Sequence, residues 1–297
     1  MLALTGANNA SNAAGTVAGS RMATYRAGIM IFVAGLTAGA ILEGGKLSTA
    51  VTGGAISGTL GANSLAIILW VSLSLIILAN TLRLPLPITQ AVFGASLGSA
   101  FFLGVPINMP TVSLVIASWL ITPFMAMLVS FVAAKSTQLR PINSVGGSVA
   151  FYGILTMAAS FYTAYAFGAN TLGLVIGVMK EDLGWPLALS VAVLAASAGS
   201  LLGGERVART VGERVSSLGP SSAFTSQLGA ALTIHFFTQG GIPVSISHAI
   251  IGSVSGTGLS RGSKALSGKT ALKLAALWMA TPLLAFGMAW LLEAASL

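Results

Sequence analysis

The sequence predicts an all-α polytopic membrane protein: about ten transmembrane segments, arranged as two inverted five-segment repeats with broken or re-entrant helices. Composition supplies the first reason. Of 297 residues, 7% are charged and 55% hydrophobic, against roughly 25% charged in a soluble domain, too few charges to cover a soluble globule of this length. The second reason is a series of apolar runs separated by charged breaks. The third is a set of landmarks that occurs twice in the same order.

The segments can be taken in turn. Residues 1–19 are small-residue-rich and only weakly apolar, and contain Gly15 and Gly19 in a GxxxG spacing that suits close helix packing. Apolar runs follow at 24–42 and 62–82. The run at 86–103 is led by Pro85 and Pro87, and the run at 111–134 contains Thr122-Pro123. The fifth, 148–178, is about 31 residues, long for one span, and Gly168-Ala-Asn170 interrupts it. Runs at 185–202 and 222–238 come next; 242–259 is led by Pro243, and 270–292 contains Thr281-Pro282.

The duplication lies in four landmarks at offsets between 158 and 162. Gly6-Ala-Asn8 recurs as Gly168-Ala-Asn170, and Ala38-Gly39 as Ala198-Gly199. Pro85-Leu-Pro-Ile-Thr-Gln-Ala-Val-Phe-Gly94 recurs as Pro243-Val-Ser-Ile-Ser-His-Ala-Ile-Ile-Gly252, and Trp119 to Pro123 as Trp278 to Pro282. The halves are 1–134 and 148–297, joined by a cytoplasmic linker at 135–147. An odd number of segments per half reverses the orientation of the second half. Loop charges agree: alternating sides, one face collects twelve basic residues and the other only Lys46 and Lys180. That bias places both termini outside the cytoplasm of a cell membrane. The basic residues sit at span ends and form no continuous patch, so nucleic acid is not an expected partner. There is no cysteine, which excludes thiolate chemistry and disulfides, and no basic n-region that would announce a cleaved signal peptide.

Inverted five-plus-five repeats are characteristic of secondary transporters that hold a substrate between the halves. Candidate site residues follow the repeat. Glycine and asparagine at 6–12 are expected to break a helix, and a restarted half-helix presents free N–H groups and a positive dipole end. Asn8, Asn9, Asn12 and Thr16 then offer neutral donors and acceptors, with a helix-packing face as the equally weighted alternative. Asn170 and Thr171 are their repeat counterparts. The Pro-led segments contribute Thr89 and Gln90 in the first half and Ser245, Ser247 and His248 in the second. A histidine inside an apolar span is a candidate for proton coupling, although Gln90 occupies the matching position and a hydrogen-bonded structural histidine is at least as common. The six acidic residues all lie near span ends, so neither a carboxylate metal site nor a paired-carboxylate enzyme has candidates, and no cofactor is expected.

These residues resemble the PiT family of inorganic phosphate transporters, whose duplicated signature reads GANDxAN and whose second landmark reads P-[VI]-S-T-T-H-A. Here they stand as GANNASN at 6–12, GANTLGL at 168–174, PLPITQA at 85–91 and PVSISHA at 243–249. The resemblance implies a dimeric symporter that moves phosphate with Na⁺ or H⁺, with Asn8, Asn12, Asn170, Thr89, Ser245 and Ser247 around the anion and the coupling cation, and Asn8 and Asn170 as weak Na⁺ ligands. The departures are specific: the signature Asp is Asn9 in one motif and Thr171 in the other, and the later Asn of the second motif is Leu174. The family includes sulfate permeases that lack these carboxylates, so proton-coupled sulfate transport is the alternative substrate reading. A passive anion channel and a non-transporting anion-binding membrane protein remain open alternatives.

Overall fold

The computed structural model describes residues 1–19, 23–51, 53–82, 86–139, 144–215, 219–263 and 268–296. The side chains of 12, 13, 19, 80, 82, 145, 206–215 and 268 lie outside that description, as do Pro85 and the basic residues Arg21, Arg83, Arg140 and Lys264. The described chain is helical, with one isolated bridge between Ile56 and Ile107. In order it forms α1 (Leu2–Gly19), α2 (Tyr25–Glu43), a 3-10 turn (Gly44–Leu47), α3 (Ala62–Leu82), α4 (Ile88–Phe102), α5 (Met109–Leu139), α6 (Val145–Phe167), a π turn (Gly168–Leu172), α7 (Gly173–Leu183), α8 (Trp185–Val215), α9 (Pro220–Gln239), α10 (Ile246–Ser260) and α11 (Gly268–Ala295). Among the described residues, six stretches are long and apolar enough to cross a membrane by length and composition.

Local signals explain most of the boundaries. The Thr24 hydroxyl caps α2 by accepting the Ala27 N–H at 3.2 Å, and the Ser144 hydroxyl caps α6 by accepting that of Gly147. Pro220 stands in the first turn of α9, where its missing N–H costs nothing. Gly184, at φ +73°, ends α7 in a conformation that a side chain would strain, and α8 begins one residue later.

Two expected elements come out differently. Residues 6–12 do not break the helix: α1 runs continuously through the motif. The reason is close packing, because a Cβ on Gly6 would collide with the carbonyl oxygen of Ala196 in α8, so this glycine serves helix contact. The long segment at 148–178 bends rather than ending; α6 passes through the π turn at Gly168–Leu172 into α7 as one path. In addition, α8 extends past the expected end at 202 to Val215, carrying the sequence Glu205 to Arg214 beyond the apolar stretch.

The packing is reciprocal at the repeated landmarks. A Cβ on Gly94 of α4 would strike the Pro282 backbone of α11, and one on Gly252 of α10 would strike the Pro123 backbone of α5. One turn on, Gly98 lies against Phe286 and Gly256 against Met127. At the other end of each half, Gly6 meets Ala196 while Gly168 meets Leu36, and Gly199 meets Ala3 while Gly39 meets Tyr165. Each 15-residue helix, α4 and α10, therefore packs on a long, proline-containing helix distant in sequence, α11 and α5 respectively.

Candidate functional site

The helices α4 and α10 are 15 residues each and begin inside the protein, at Pro87 and at Ser245. The Ser245 hydroxyl accepts the His248 N–H at 3.4 Å, closing the first turn of α10. The extended residues before that turn are held from three directions. Asn170, on the π turn, accepts the Val244 N–H with its amide oxygen at 3.0 Å. Its amide nitrogen donates to Thr238 Oγ1 at 2.9 Å and to the Ile242 carbonyl at 3.1 Å. At the next peptide, Thr89 of α4 donates to the Val244 carbonyl at 3.2 Å. The Trp119 indole of α5 donates to the Pro243 carbonyl at 2.8 Å.

The structure thus brings together Thr89, Asn170 and Ser245, with Thr171 buried beside Asn170 and Ser247 half-buried on the first turn of α10. Asn170 has both donors and its oxygen engaged by the protein itself. It positions the loop, and its oxygen, expected as a weak Na⁺ ligand, is bonded to Val244. No charged side chain takes part in these contacts, so any anion held here meets dipoles, hydroxyls and backbone N–H groups.

Thr16 belongs to a separate group: it accepts the Gln227 amide N–H at 2.8 Å, while Thr163 donates to the Gln227 carbonyl at 3.1 Å. This ties α1, α6 and α9 together. Asn9 donates to the Thr5 carbonyl one turn back at 2.9 Å, and Asn8 is half-buried on α1. The Asn12 side chain lies outside the described residues.

His248 has a definite geometric task. Proline at 123 has no N–H, so the carbonyl of Trp119, four residues earlier, loses its helical partner. His248 Nδ1 reaches that carbonyl at 3.1 Å. A carbonyl only accepts, so Nδ1 carries a proton. The imidazole packs on the Trp278 indole with centroids 3.8 Å apart. Gln90, its repeat counterpart, is equally buried. Both lie on the wall of a cleft of about 630 Å³ between α5, α10 and α11, whose remaining lining is almost wholly apolar, including the exposed Leu120, Phe124 and Leu272. The cleft is lined by no charged residue, so it is not where a small anion would bind.

Sequence reasoning missed the peptide groups of Pro243 and Val244, because a backbone contact leaves no side-chain signature. It also missed Trp119 as a ligand of that loop, although Trp119 was one of the repeated landmarks. Gln227, a buried amide in an apolar run, was a visible signal that went unused. Among the described residues, no group of three or more His, Cys, Asp or Glu is placed to hold a metal ion.

Comparison with known proteins bears on the whole chain. The sequence model of the phosphate transporter family matches twice, at residues 5–146 and 143–289. A protein of Methanocaldococcus jannaschii named as a phosphate permease is 25% identical over 285 residues, covering 96% of this chain and 91% of its own. The sulfate permease CysP of Bacillus subtilis is 24% identical over 301 residues, covering 97% and 82%. Among solved structures, the fold is similar to that of a sodium-dependent phosphate transporter, with a TM-score of 0.83 and 19% identity over 98% of this chain and 95% of that one.

Proposed function

The chain belongs to the phosphate transporter family, is a helical membrane protein, and, we propose, is a secondary active transporter that moves inorganic phosphate with Na⁺ or H⁺ by alternating access. In this reading ten membrane segments form two inverted halves, 1–134 and 148–297, joined by the cytoplasmic linker 135–147. Both termini face outward from the cell membrane, and the protein works as a homodimer. The observation that carries the reading is the Val244 backbone. Thr89 of the first half holds the carbonyl of this residue and Asn170 of the second half holds its N–H, one on each of the two peptides that flank it. Rocking of one half against the other moves this residue, and with it the start of α10. The reciprocal glycine crossings support the inverted arrangement, since each contact has a counterpart with the halves exchanged.

The anion sits between the starts of α4 and α10, where Ser245 and Ser247 present hydroxyls and the helix dipoles present their positive ends, while Thr89, its hydroxyl proton given to the Val244 carbonyl, fixes the loop. Thr171, buried beside Asn170, flanks it. Asn170 acts by fixing the loop. Because no carboxylate stands in either motif, the coupling cation meets only neutral oxygens, and His248, bonded through Nδ1 to Trp119, is the titratable group nearest the site.

Sulfate is the second reading. The all-neutral site favours it, since phosphate can donate a hydrogen bond that a carboxylate would accept and sulfate cannot, and the sulfate permease relative matches nearly the full chain. The deciding experiment is uptake of labelled phosphate and labelled sulfate into proteoliposomes under a sodium gradient and, separately, a proton gradient. Saturable phosphate accumulation that follows one gradient is expected. Accumulation of sulfate alone transfers the reading to sulfate. Flux without coupling indicates a channel, and binding without flux overturns transport altogether.

A further inference from the structure

At the end of the protein that carries Lys46, one carboxylate is held by donors from three directions. The Glu43 oxygens receive Lys46 Nζ at 3.2 Å, Gln239 Nε2 at 2.9 Å and His235 Nε2 at 3.5 Å. Tyr165 of α6 stands beside the same group, its ring stacked on His235. Lys46 also donates to the Gln239 amide oxygen at 2.6 Å, so cation and amide are locked to each other. His235 cannot swing away freely, because its ring stacks on Tyr165 at 5.9 Å and lies against Tyr162 at 5.4 Å. These groups come from the 3-10 turn and α9, with Tyr165 of α6 packed alongside, and converge on a carboxylate from α2.

Such a cage has the chemistry of an oxyanion site: one ammonium, one amide N–H and one imidazole at paired oxygens, with a phenol ring walling one side. Glu43 fills it. The side chains of Lys46, Glu43 and His235 remain 40%, 19% and 24% exposed, so an ion from solution can reach the cage without opening the core. Its position matters as well. Gln239 is the last residue of α9, and the next residues, 240–245, form the connection that Asn170 grips at Ile242 and Val244 and that leads into α10. An occupant of the cage therefore stands one short loop from the place where the anion is transported.

We propose that the Lys46–Gln239–His235–Tyr165 cage is a second oxyanion site at the mouth of the pathway, in which the Glu43 carboxylate is a built-in competitor for the transported dianion. This rests on the oxyanion reading of the transport site. The incoming ion displaces Glu43 from Lys46, is concentrated at the mouth, and frees the end of α9 from its tie to α2. Phosphate and sulfate both offer the required oxygens, so either transported ion can occupy it.

The test measures binding and uptake separately. Labelled phosphate and labelled sulfate binding is titrated on detergent-solubilised full-length protein for the wild type, Glu43→Gln and the double variant Glu43→Gln/Lys46→Gln. Removing the competing charge while keeping Lys46 is expected to tighten binding of the transported ion about tenfold, the scale of one charge-assisted contact, and the double variant is expected to lose that gain. Location is read independently, since the chain contains no cysteine. In Gln239→Cys, the single thiol is challenged with a thiol-reactive reagent, and the transported anion is expected to slow its modification. Unchanged affinity in Glu43→Gln, or a gain that persists without Lys46, overturns the cage, as does modification of Gln239→Cys that the anion leaves untouched. Failure of wild-type uptake for both ions overturns the transport reading instead, and a tenfold gain in Glu43→Gln would still identify the cage.

Discussion

Replacing His248 by phenylalanine separates a structural histidine from a proton carrier. Phenylalanine keeps an aromatic ring against Trp278 and removes only the Nδ1 donor, which lies 3.1 Å from the Trp119 carbonyl. That carbonyl is orphaned by Pro123 and buried, so the substitution leaves it unpaired at a cost of about 1–3 kcal/mol. The same bond can be rebuilt from the other side. Pro123→Ala gives residue 123 an N–H aimed back at Trp119, and the double variant Pro123→Ala/His248→Phe recovers most of the loss. The two substitutions should therefore couple by about 1 kcal/mol or more, because they act on one acceptor. Stability is measured by reversible unfolding in mixed micelles, and uptake in proteoliposomes made from the same preparations. Additive effects of the two substitutions would refute the shared carbonyl. If stability is restored but uptake stays lost at every pH, His248 has a role in coupling beyond holding α5.

Three further outcomes are expected. Asn170→Leu removes three hydrogen bonds and strands the Val244 N–H and Ile242 carbonyl; at about 0.6–1 kcal/mol per bond in a membrane protein, unfolding should show a loss of roughly 2–3 kcal/mol together with lost uptake, and lost uptake at full stability would make Asn170 an anion ligand instead. Gly252→Ala places a methyl against the Pro123 backbone and must part α10 from α5 by on the order of 1 Å, costing about 1–3 kcal/mol, whereas Gly287→Ala meets nothing and should be neutral or slightly stabilising in the same unfolding assay. Trp119→Phe loses the 2.8 Å bond to Pro243 and should destabilise by about 1 kcal/mol more than Trp278→Phe, whose indole N–H has no partner among the described residues; equal effects would dismiss that bond.

Much of the architecture was legible because lipid imposes it. A backbone in hydrocarbon must satisfy its own hydrogen bonds, so apolar runs became helices with ends close to the charged breaks. The Pro-led starts of α4 and α10 were legible for the same reason that proline and serine favour a first turn. What the sequence hid was tertiary. Between a helix break and a helix-packing face at Gly6 and Asn8 the sequence did not choose; α1 stays continuous, and the missing Cβ of Gly6 is needed for contact with Ala196. The same residues at 168–170 do loosen the helix, into a π turn, and Asn170 turns its side chain to a loop more than seventy residues away in sequence. His248 read as a candidate for proton coupling, with a hydrogen-bonded structural histidine at least as common. Its bonding partner appears only when the proline 125 residues earlier is seen to have orphaned a carbonyl beside it. Glu43 read as a span-end charge, and nothing local announced the donors that α6 and α9 bring to it.

The reciprocal glycine crossings also set a timetable for biogenesis. Gly94 and Gly98 of α4 rest on α11, the last described helix in the chain, and Gly252 and Gly256 of α10 rest on α5. The first half, once synthesised, has bare backbone grooves that nothing within it fills. It must wait, inserted but unlocked, until the C-terminal helix leaves the ribosome. Truncation before α11 therefore leaves α4 without its seat, and quality control would meet a half-built protein whose exposed glycine faces invite the wrong helix.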